Sequence, residues 1–221
     1  MQKWLLTIII AILPVITACS KTDTEVSVPE EETGKKLYMV DSRSASIGTA
    51  LLIREAVKLR DAGVNVSDIA AACTEMSKYI KLTAVVGSLK YLKMGGRLSG
   101  AAAFAGTMLH ITPVVSIEDG KVVVIGKTRG KKAAEKLMHD KLIKDGLSLI
   151  RDFMFGHINC SESLETFINK SLTYISDVNG NVGVSSIGCS VGTHVGPGTY
   201  GIAYVEAAES GMNRESIEKT A

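Results

Sequence analysis

The chain has 221 residues, of which 46% are hydrophobic, and this is enough for one large domain or two small ones with a real core. Its 25 Lys and Arg residues nearly balance its 23 Asp and Glu residues, which gives a net charge of +2. The composition argues against a nucleic-acid-binding protein, because the longest basic stretch is the short segment RGKK at residues 129–132 and no aromatic residues are interleaved with it.

The amino terminus, MQKWLLTIIIAILPVITAC at residues 1–19, is typical of an export signal. A lysine precedes an apolar run that is too short to cross a bilayer and contains Pro14, and small residues precede Cys19. The Ile-Thr-Ala-Cys ending resembles the lipobox of bacterial lipoproteins. We therefore expect Cys19 to carry lipid and to anchor the protein at a membrane, outside the cytoplasm. The alternatives are an uncleaved membrane anchor, or a cytoplasmic protein if the signal is not used.

Residues 20–36 are polar and acidic without periodicity, which predicts a flexible tether. The remaining cysteines, Cys73, Cys160 and Cys189, are widely spaced and form no C-x-x-C pair. They therefore predict neither a metal site nor a disulfide framework, and each is expected to be a small buried hydrophobic residue.

Strands and helices are predicted to alternate along the rest of the chain. The segment KLYMVDS predicts a short strand that ends at Ser42, and helices follow at residues 47–62 and 66–80, the second with Ser67 as its cap and Asp68 in its first turn. The later predicted elements are a strand at 82–89, a Gly-Gly-Arg turn at 95–97, a small-residue helix at 99–109, a hairpin that turns at 118–120, a helix at 131–144, a strand at 153–159, a helix at 162–175, and two strands within VGVSSIG and GIAYVE.

This order predicts an α/β fold with an internal antiparallel pair, in which helices cover one face of a sheet. Between the last two strands lies SVGTHVGPGTYGIAY, which we interpret as a loop with a concave backbone surface and His194 at its mouth. Such a surface fits a ligand headgroup. The alternative is a tight strand connection in which His194 has no ligand.

Two segments resemble the carboxy-terminal domain of the DegV family of bacterial fatty-acid-binding proteins. They are YLKMGGRLSGAAAFAGTMLHITPVVSIEDGKVVVIGKTRGKKA and GTHVGPGTYGIAY, and VDSRSASIGTALLIREAVKL is similar to the segment that leads into that domain. The resemblance covers residues 37–205. It implies a mixed sheet with an antiparallel hairpin, and two α/β domains that clamp a long-chain fatty acid such as palmitate. The tail lies in an apolar tunnel and the carboxylate at the cleft, in a carrier without catalytic residues, metal or cofactor.

The resemblance assigns ligand-binding roles to the Gly-Gly-Arg and His-x-Gly-Pro-Gly motifs. Arg97 and His194 are then expected near the carboxylate, to which a guanidinium and an imidazole can donate hydrogen bonds. The glycines expected to line the same site are Gly95, Gly96, Gly196 and Gly198. The alternatives are that Arg97 caps the hairpin or a helix end, and that the alanine-rich helix at 99–109 only packs in a core.

The sequence also departs from the family pattern, because the Thr-Ser and Ser-Gly-Thr motifs of the family's first domain are absent. We predict a remnant of the first domain at residues 37–81, the carboxy-terminal domain at 82–206 and a polar tail at 207–221. A remnant that leaves apolar surface uncovered predicts a homodimer. Some family members pass the acyl group to a kinase, but an anchored protein outside the cytoplasm is not expected to meet such a partner.

Three functions follow in order of preference. The first is a membrane-tethered fatty-acid-binding protein. The second is a truncated homologue that has lost binding or needs a separate partner domain. The third, a hydrolase with His194 as general base, is disfavoured because no nucleophile stands at a motif-like spacing.

Overall fold

The computed structural model of the chain describes residues 37–97, 111–146, 148, 151–173 and 180–207. The predicted signal and tether, the helix predicted at 99–109, and the predicted polar tail after residue 207 lie outside the described residues. In chain order the helices and strands are α1 (Ile47–Asp61), α2 (Val66–Ser77), β1 (Ile80–Val85), α3 (Leu89–Met94), β2 (Thr112–Glu118), β3 (Lys121–Thr128), α4 (Lys131–Asp145), β4 (Phe153–His157), α5 (Ser161–Leu172), β5 (Val182–Ser186), α6 (Cys189–Val195) and β6 (Tyr200–Val205).

The six strands form one mixed sheet in the order β3-β2-β1-β6-β4-β5. Only β4 and β5 run parallel, and every other neighbouring pair is antiparallel. The predicted hairpin is confirmed, since β2 and β3 are joined at Asp119 and Gly120. These two residues have φ values of 50° and 72°, as a tight two-residue hairpin turn requires. The mixed α/β sheet with its hairpin is therefore confirmed.

Helices cover both faces of the sheet, so the expectation of a single covered face is wrong. Helices α1, α2 and α3 share one hydrophobic core with side chains such as Leu82 and Ala203. Helices α4 and α5 share a second core with Phe155 and Ile202 on the opposite face. Alternate residues of a strand point to opposite faces, and the apolar residues on both faces of β1 and β6 require this double cover.

The strand predicted before α1 and the cap predicted for α2 are both wrong. Residues 37–46 form no strand, and the hydroxyl of Ser42 instead lies 3.1 Å from the hydroxyl of Thr49 at the start of α1. Helix α2 is capped by Asn65, whose side chain accepts a hydrogen bond from the backbone N–H of Asp68, while Ser67 lies in the first turn. This helix ends at Ser77, and Ile80 already belongs to β1.

The predicted domain boundary at residue 82 falls within β1. Segments on both sides of it contribute to the core beneath α1, while the division itself stays a prediction. Among the helices that the structure describes, none combines the length and the apolar character that crossing a bilayer requires.

Candidate functional site

The Gly-Gly-Arg motif ends helix α3. Gly96 has a φ of 66°, its backbone N–H donates to the Lys93 carbonyl at 3.1 Å, and the N–H of Arg97 donates to the Leu92 carbonyl at 2.9 Å. This pair of bonds across a left-handed residue is the Schellman closure of a helix. The predicted turn is confirmed, and it fixes where the Arg97 backbone leaves α3.

The His-x-Gly-Pro-Gly motif forms a helix and a turn, so the interpretation of the whole segment as a loop is wrong. His194 lies in the last turn of α6, and the N–H of Gly196 donates to the Gly192 carbonyl at 2.8 Å. Gly196 then has a φ of 76°, and Gly198 has a φ of 79° in the turn that leads to β6. A seven-residue helix is too short for a periodic hydrophobic pattern to reveal it.

Helices α3 and α6 approach each other through two glycines. A Cβ atom on Gly95 would overlap the His194 ring at Nδ1, and a Cβ atom on Gly196 would overlap the ring of Tyr91. Only glycine allows so close an approach at these positions. The structure thus brings together the two motifs that the sequence analysis singled out.

Arg97 and His194 meet at Gly95. The Nη1 atom of Arg97 donates a 2.8 Å hydrogen bond to the Gly95 carbonyl, while the imidazole packs against the Cα side of the same residue. Nη1 therefore caps the end of helix α3, which is one of the alternatives that the sequence left open for Arg97. A guanidinium has five N–H donors, so this bond leaves others for a ligand. The role of both residues in ligand binding stays a prediction.

The two nitrogens of His194 lie in different surroundings. Nδ1 is buried and has no hydrogen-bond partner within the described residues, whereas His194 as a whole residue is partly exposed. Nδ1 is therefore closed to a ligand, and a ligand that binds the ring through a nitrogen must use Nε2. In the tautomer that carries its proton on Nε2, this nitrogen can donate a hydrogen bond to a ligand. The buried Nδ1 then has no N–H group that would be left without an acceptor.

Sequence analysis missed Gly87 and Thr199, which link the start of α3 to the end of α6. A Cβ atom on Gly87 would overlap the carbonyl oxygen of Pro197, and the N–H of Gly87 donates to the Thr199 hydroxyl at 3.3 Å. Thr199 is 1% exposed. The only signal in the sequence was a glycine that follows an apolar strand, which also fits an ordinary turn.

A second polar cluster joins α4, α5 and the start of β6. The buried carboxylate of Glu135 accepts hydrogen bonds from the hydroxyl of Tyr200 at 2.9 Å and from Lys170 at 2.7 Å. The pKa of the Tyr200 hydroxyl lies well above its usual range, mainly because the group is buried. The hydrogen bond to Glu135 and the negative charge of that residue raise the pKa further. Nearby, the surface cavity lined by His139, Thr166, Asn169, Lys170 and Thr173 measures about 450 Å³.

The described part of the chain contains no group of three or more His, Cys, Asp or Glu residues placed to hold a metal ion. The cysteines Cys73, Cys160 and Cys189 are free, and they differ in burial. Cys73 is buried as expected, Cys160 is partly buried, and Cys189 is exposed at the start of α6, so the expectation of a buried residue is wrong there.

Comparisons with known proteins agree with the motifs. A sequence model of the DegV family, described as an uncharacterised protein family, matches residues 12–207, a range that begins within the predicted export signal. A DegV domain-containing protein of Clostridium acetobutylicum is 32% identical over 182 residues, which cover 80% of this chain and 61% of that protein.

Solved structures show the same fold. A DegV lipid binding protein from Thermotoga maritima matches with a TM-score of 0.69 and 26% identity, over 80% of this chain and 61% of that chain. A fatty acid binding DegV family protein from Streptococcus agalactiae matches with a TM-score of 0.65 and 26% identity, over 80% of this chain and 62% of that chain. The chain spans about three fifths of the length of these relatives.

Proposed function

Because the chain belongs to the DegV family, we propose that it binds a long-chain fatty acid as a carrier and not as an enzyme. Relatives with the same fold are named for lipid binding and for fatty acid binding. The observation that carries the proposal for this chain is the contact at Gly95, where the ring of His194 and the guanidinium of Arg97 meet.

The proposed headgroup site uses the free donors of these two side chains. The carboxylate accepts hydrogen bonds from His194 Nε2 and from the guanidinium N–H groups of Arg97 that Gly95 does not engage. Charge-assisted bonds of this kind are roughly twice as strong as neutral ones. Gly95 and Gly196 allow the close approach of α3 and α6 that brings the two donors together, and Gly96 and Gly198 keep side chains out of the wall of the site, so the headgroup can approach the backbone there.

The tail supplies most of the affinity in this proposal. Each methylene transferred from water to an apolar interior contributes about 0.8 kcal/mol, without a directional requirement. The headgroup contacts then select a carboxylate and set the orientation of the chain. This division of roles predicts that loss of a headgroup donor weakens binding without abolishing it.

The first experiment is native mass spectrometry of the full chain, purified without added fatty acid. We expect a copurified mass that matches a long-chain fatty acid and that decreases in the Arg97→Ala and His194→Ala variants. Arg129→Ala, which changes an exposed arginine in the connection between β3 and α4, is the matched control and should retain the ligand. A chain that stays empty after addition of palmitic acid would contradict the proposal, and would favour the alternative in which binding has been lost or needs a further domain.

We also propose that Cys19 is lipidated and tethers the protein to a membrane, outside the cytoplasm. The lipobox-like ending Ile-Thr-Ala-Cys supports this proposal. Expression in a bacterial host with radiolabelled palmitate should label the full chain on a denaturing gel, and Cys19→Ser should remove the label. Unchanged label in Cys19→Ser, or no label in either chain, would overturn it.

The homodimer and the absence of a kinase partner stay predictions. Light scattering of the full chain tests the first, and a monomer at all concentrations would contradict it. For the second, addition of ATP and a bacterial lysate to the fatty-acid-loaded chain should leave the bound acid unchanged. Formation of acyl phosphate would show that a kinase can use this protein.

A further inference from the structure

Thr199 lies in the turn between α6 and β6, and its hydroxyl touches the backbone beside both helices of the site. It donates a 2.9 Å hydrogen bond to the carbonyl of Val195, the last residue of α6, and accepts one from the N–H of Gly87 at 3.3 Å. Val195 directly follows His194, and Gly87 directly precedes Ser88, the cap of α3. One buried hydroxyl therefore joins the end of one helix to the start of the other.

The backbone of Thr199 is fixed by a third element. Its carbonyl accepts hydrogen bonds from the N–H of Ile158 at 2.8 Å and from the thiol of Cys160 at 3.3 Å, and the N–H of Gly198 donates to the Ile158 carbonyl at 2.9 Å. Ile158 directly follows β4. The hydroxyl is thus held in place by the sheet, between the end of α6 and the start of α3.

Few residues of the chain separate the hydrogen bonds of the Thr199 hydroxyl from the two proposed donors, Arg97 and His194. Helix α3 has six residues between its cap and the Schellman closure that places Arg97, so displacement at Gly87 moves Arg97 with the helix. At the other end, the bond to Val195 restrains the turn of α6 that carries His194. The contact between the His194 ring and Gly95 depends on both positions at once.

We propose that Thr199 is a positioning residue, whose hydroxyl holds Arg97 and His194 at the spacing that a carboxylate headgroup requires. The inference rests on the proposed function and deepens it, because it names a group that makes the site selective for acids. Hydrogen bonds weaken steeply when distance and angle depart from their preferred values, so two donors must be held together to serve one carboxylate. Burial of the tail has no such directional requirement.

The test compares two ligands that share a tail and differ in the headgroup, palmitic acid and hexadecanol, on the full chain. Thr199→Val removes the hydroxyl and keeps the shape of the side chain, and it should weaken binding of palmitic acid roughly five- to tenfold, the effect of about one hydrogen bond. Binding of hexadecanol should change less than about twofold. Thr199→Ser restores the hydroxyl and should bind both ligands nearly as the unaltered chain does.

The matched control is Thr166→Val, which changes an exposed threonine of α5. It should leave binding of both ligands unchanged. Equal losses of affinity for palmitic acid and hexadecanol in Thr199→Val would show a merely structural role and overturn the inference. Unaltered affinity for palmitic acid would also overturn it.

If Thr199→Val does not fold, amide hydrogen exchange of the unaltered chain tests the inference instead. Palmitic acid should then slow exchange at Gly87 more than in β3, and equal slowing would overturn the inference.

Failure of this inference is distinguishable from failure of the proposed function. If the unaltered chain binds palmitic acid but Thr199→Val binds it equally well, only the positioning role is wrong. If the unaltered chain binds no palmitic acid, the proposed function is wrong and the positioning role with it.

Discussion

The carboxylate of Asp152 and the ammonium group of Lys58 lie 2.8 Å apart and join the start of β4 to the outer side of α1. The same carboxylate accepts hydrogen bonds from Arg54 Nε and from the backbone N–H of Asn181, each at 3.0 Å. Burial by itself raises the pKa of Asp152, but the bonds from Lys58, Asn181 and Arg54 outweigh it and lower the pKa to about 2.

We expect Asp152→Asn to lower the free energy of unfolding by about 2 kcal/mol at pH 7. The folded-state pKa lies below the ordinary value of 3.8, so the stabilisation is fully present above roughly pH 5 and is lost as the pH falls towards 2. Urea denaturation at pH 7 and at pH 3 measures the effect, and the difference between the two proteins should shrink at the lower pH. Asp61→Asn, in an exposed pair with Arg60, is the control and should change stability by less than about 0.5 kcal/mol.

Gly95→Ala should weaken fatty-acid binding at least about tenfold, because the new Cβ atom would overlap the His194 ring and force it away from Arg97. Isothermal calorimetry with palmitic acid measures this effect. The control is Gly192→Ala on α6 itself, where a Cβ atom would lie 3.7 Å from Ile158, an ordinary contact. Equal affinities of the two variants would show that the contact at Gly95 plays no part in binding.

Tyr200→Phe should lower the free energy of unfolding by about 1–2 kcal/mol, because Glu135 loses a hydrogen bond in a buried site. The raised pKa of Tyr200 means that its stabilisation is complete below the ordinary tyrosine pKa and is lost as the pH rises further. Urea denaturation at pH 7 gives the first value, and the difference should decrease at alkaline pH. Tyr79→Phe removes an exposed 3.3 Å bond to Glu75 and should have little effect.

The cysteines should react with iodoacetamide at pH 8 in an order set by burial. Cys189 is exposed and should be alkylated first. Burial, with a smaller contribution from the charge of Glu55, raises the pKa of the Cys73 thiol to about 11, so little of the reactive thiolate forms. Peptide mapping by mass spectrometry at successive times gives the rates. In urea the two rates should become similar, and equal rates in the folded protein would contradict the burial of Cys73.

Local signals were sufficient for much of the fold. The Asp119-Gly120 pair predicted the hairpin, and periodic apolar residues predicted α1, α4 and α5 to within a few residues of their observed bounds. These signals work because turn chemistry and amphipathic spacing act over a few neighbouring residues. They also placed Arg97 in a turn, which the structure confirms.

The features that the sequence did not predict depend on tertiary contacts. Helix α6 has no amphipathic pattern and packs on α3 through Gly95 and Gly196. The segment KLYMVDS predicts an apolar strand, yet of its described residues only Val40 enters the hydrophobic core. Arg97 and His194 are neighbours because two segments that are distant in sequence cross each other. No spacing in the sequence encodes that crossing, and the family resemblance alone indicated it.

The position of β6 has a consequence for folding of the chain. This strand is the last that the structure describes, yet it lies inside the sheet between β1 and β4. The sheet therefore cannot be completed until the segment up to residue 205 is available, and until then the facing edges of β1 and β4 have unpaired backbone N–H and C=O groups. Completion of the sheet is expected to be a late step of folding, and the intermediates that precede it should be prone to association through these edges.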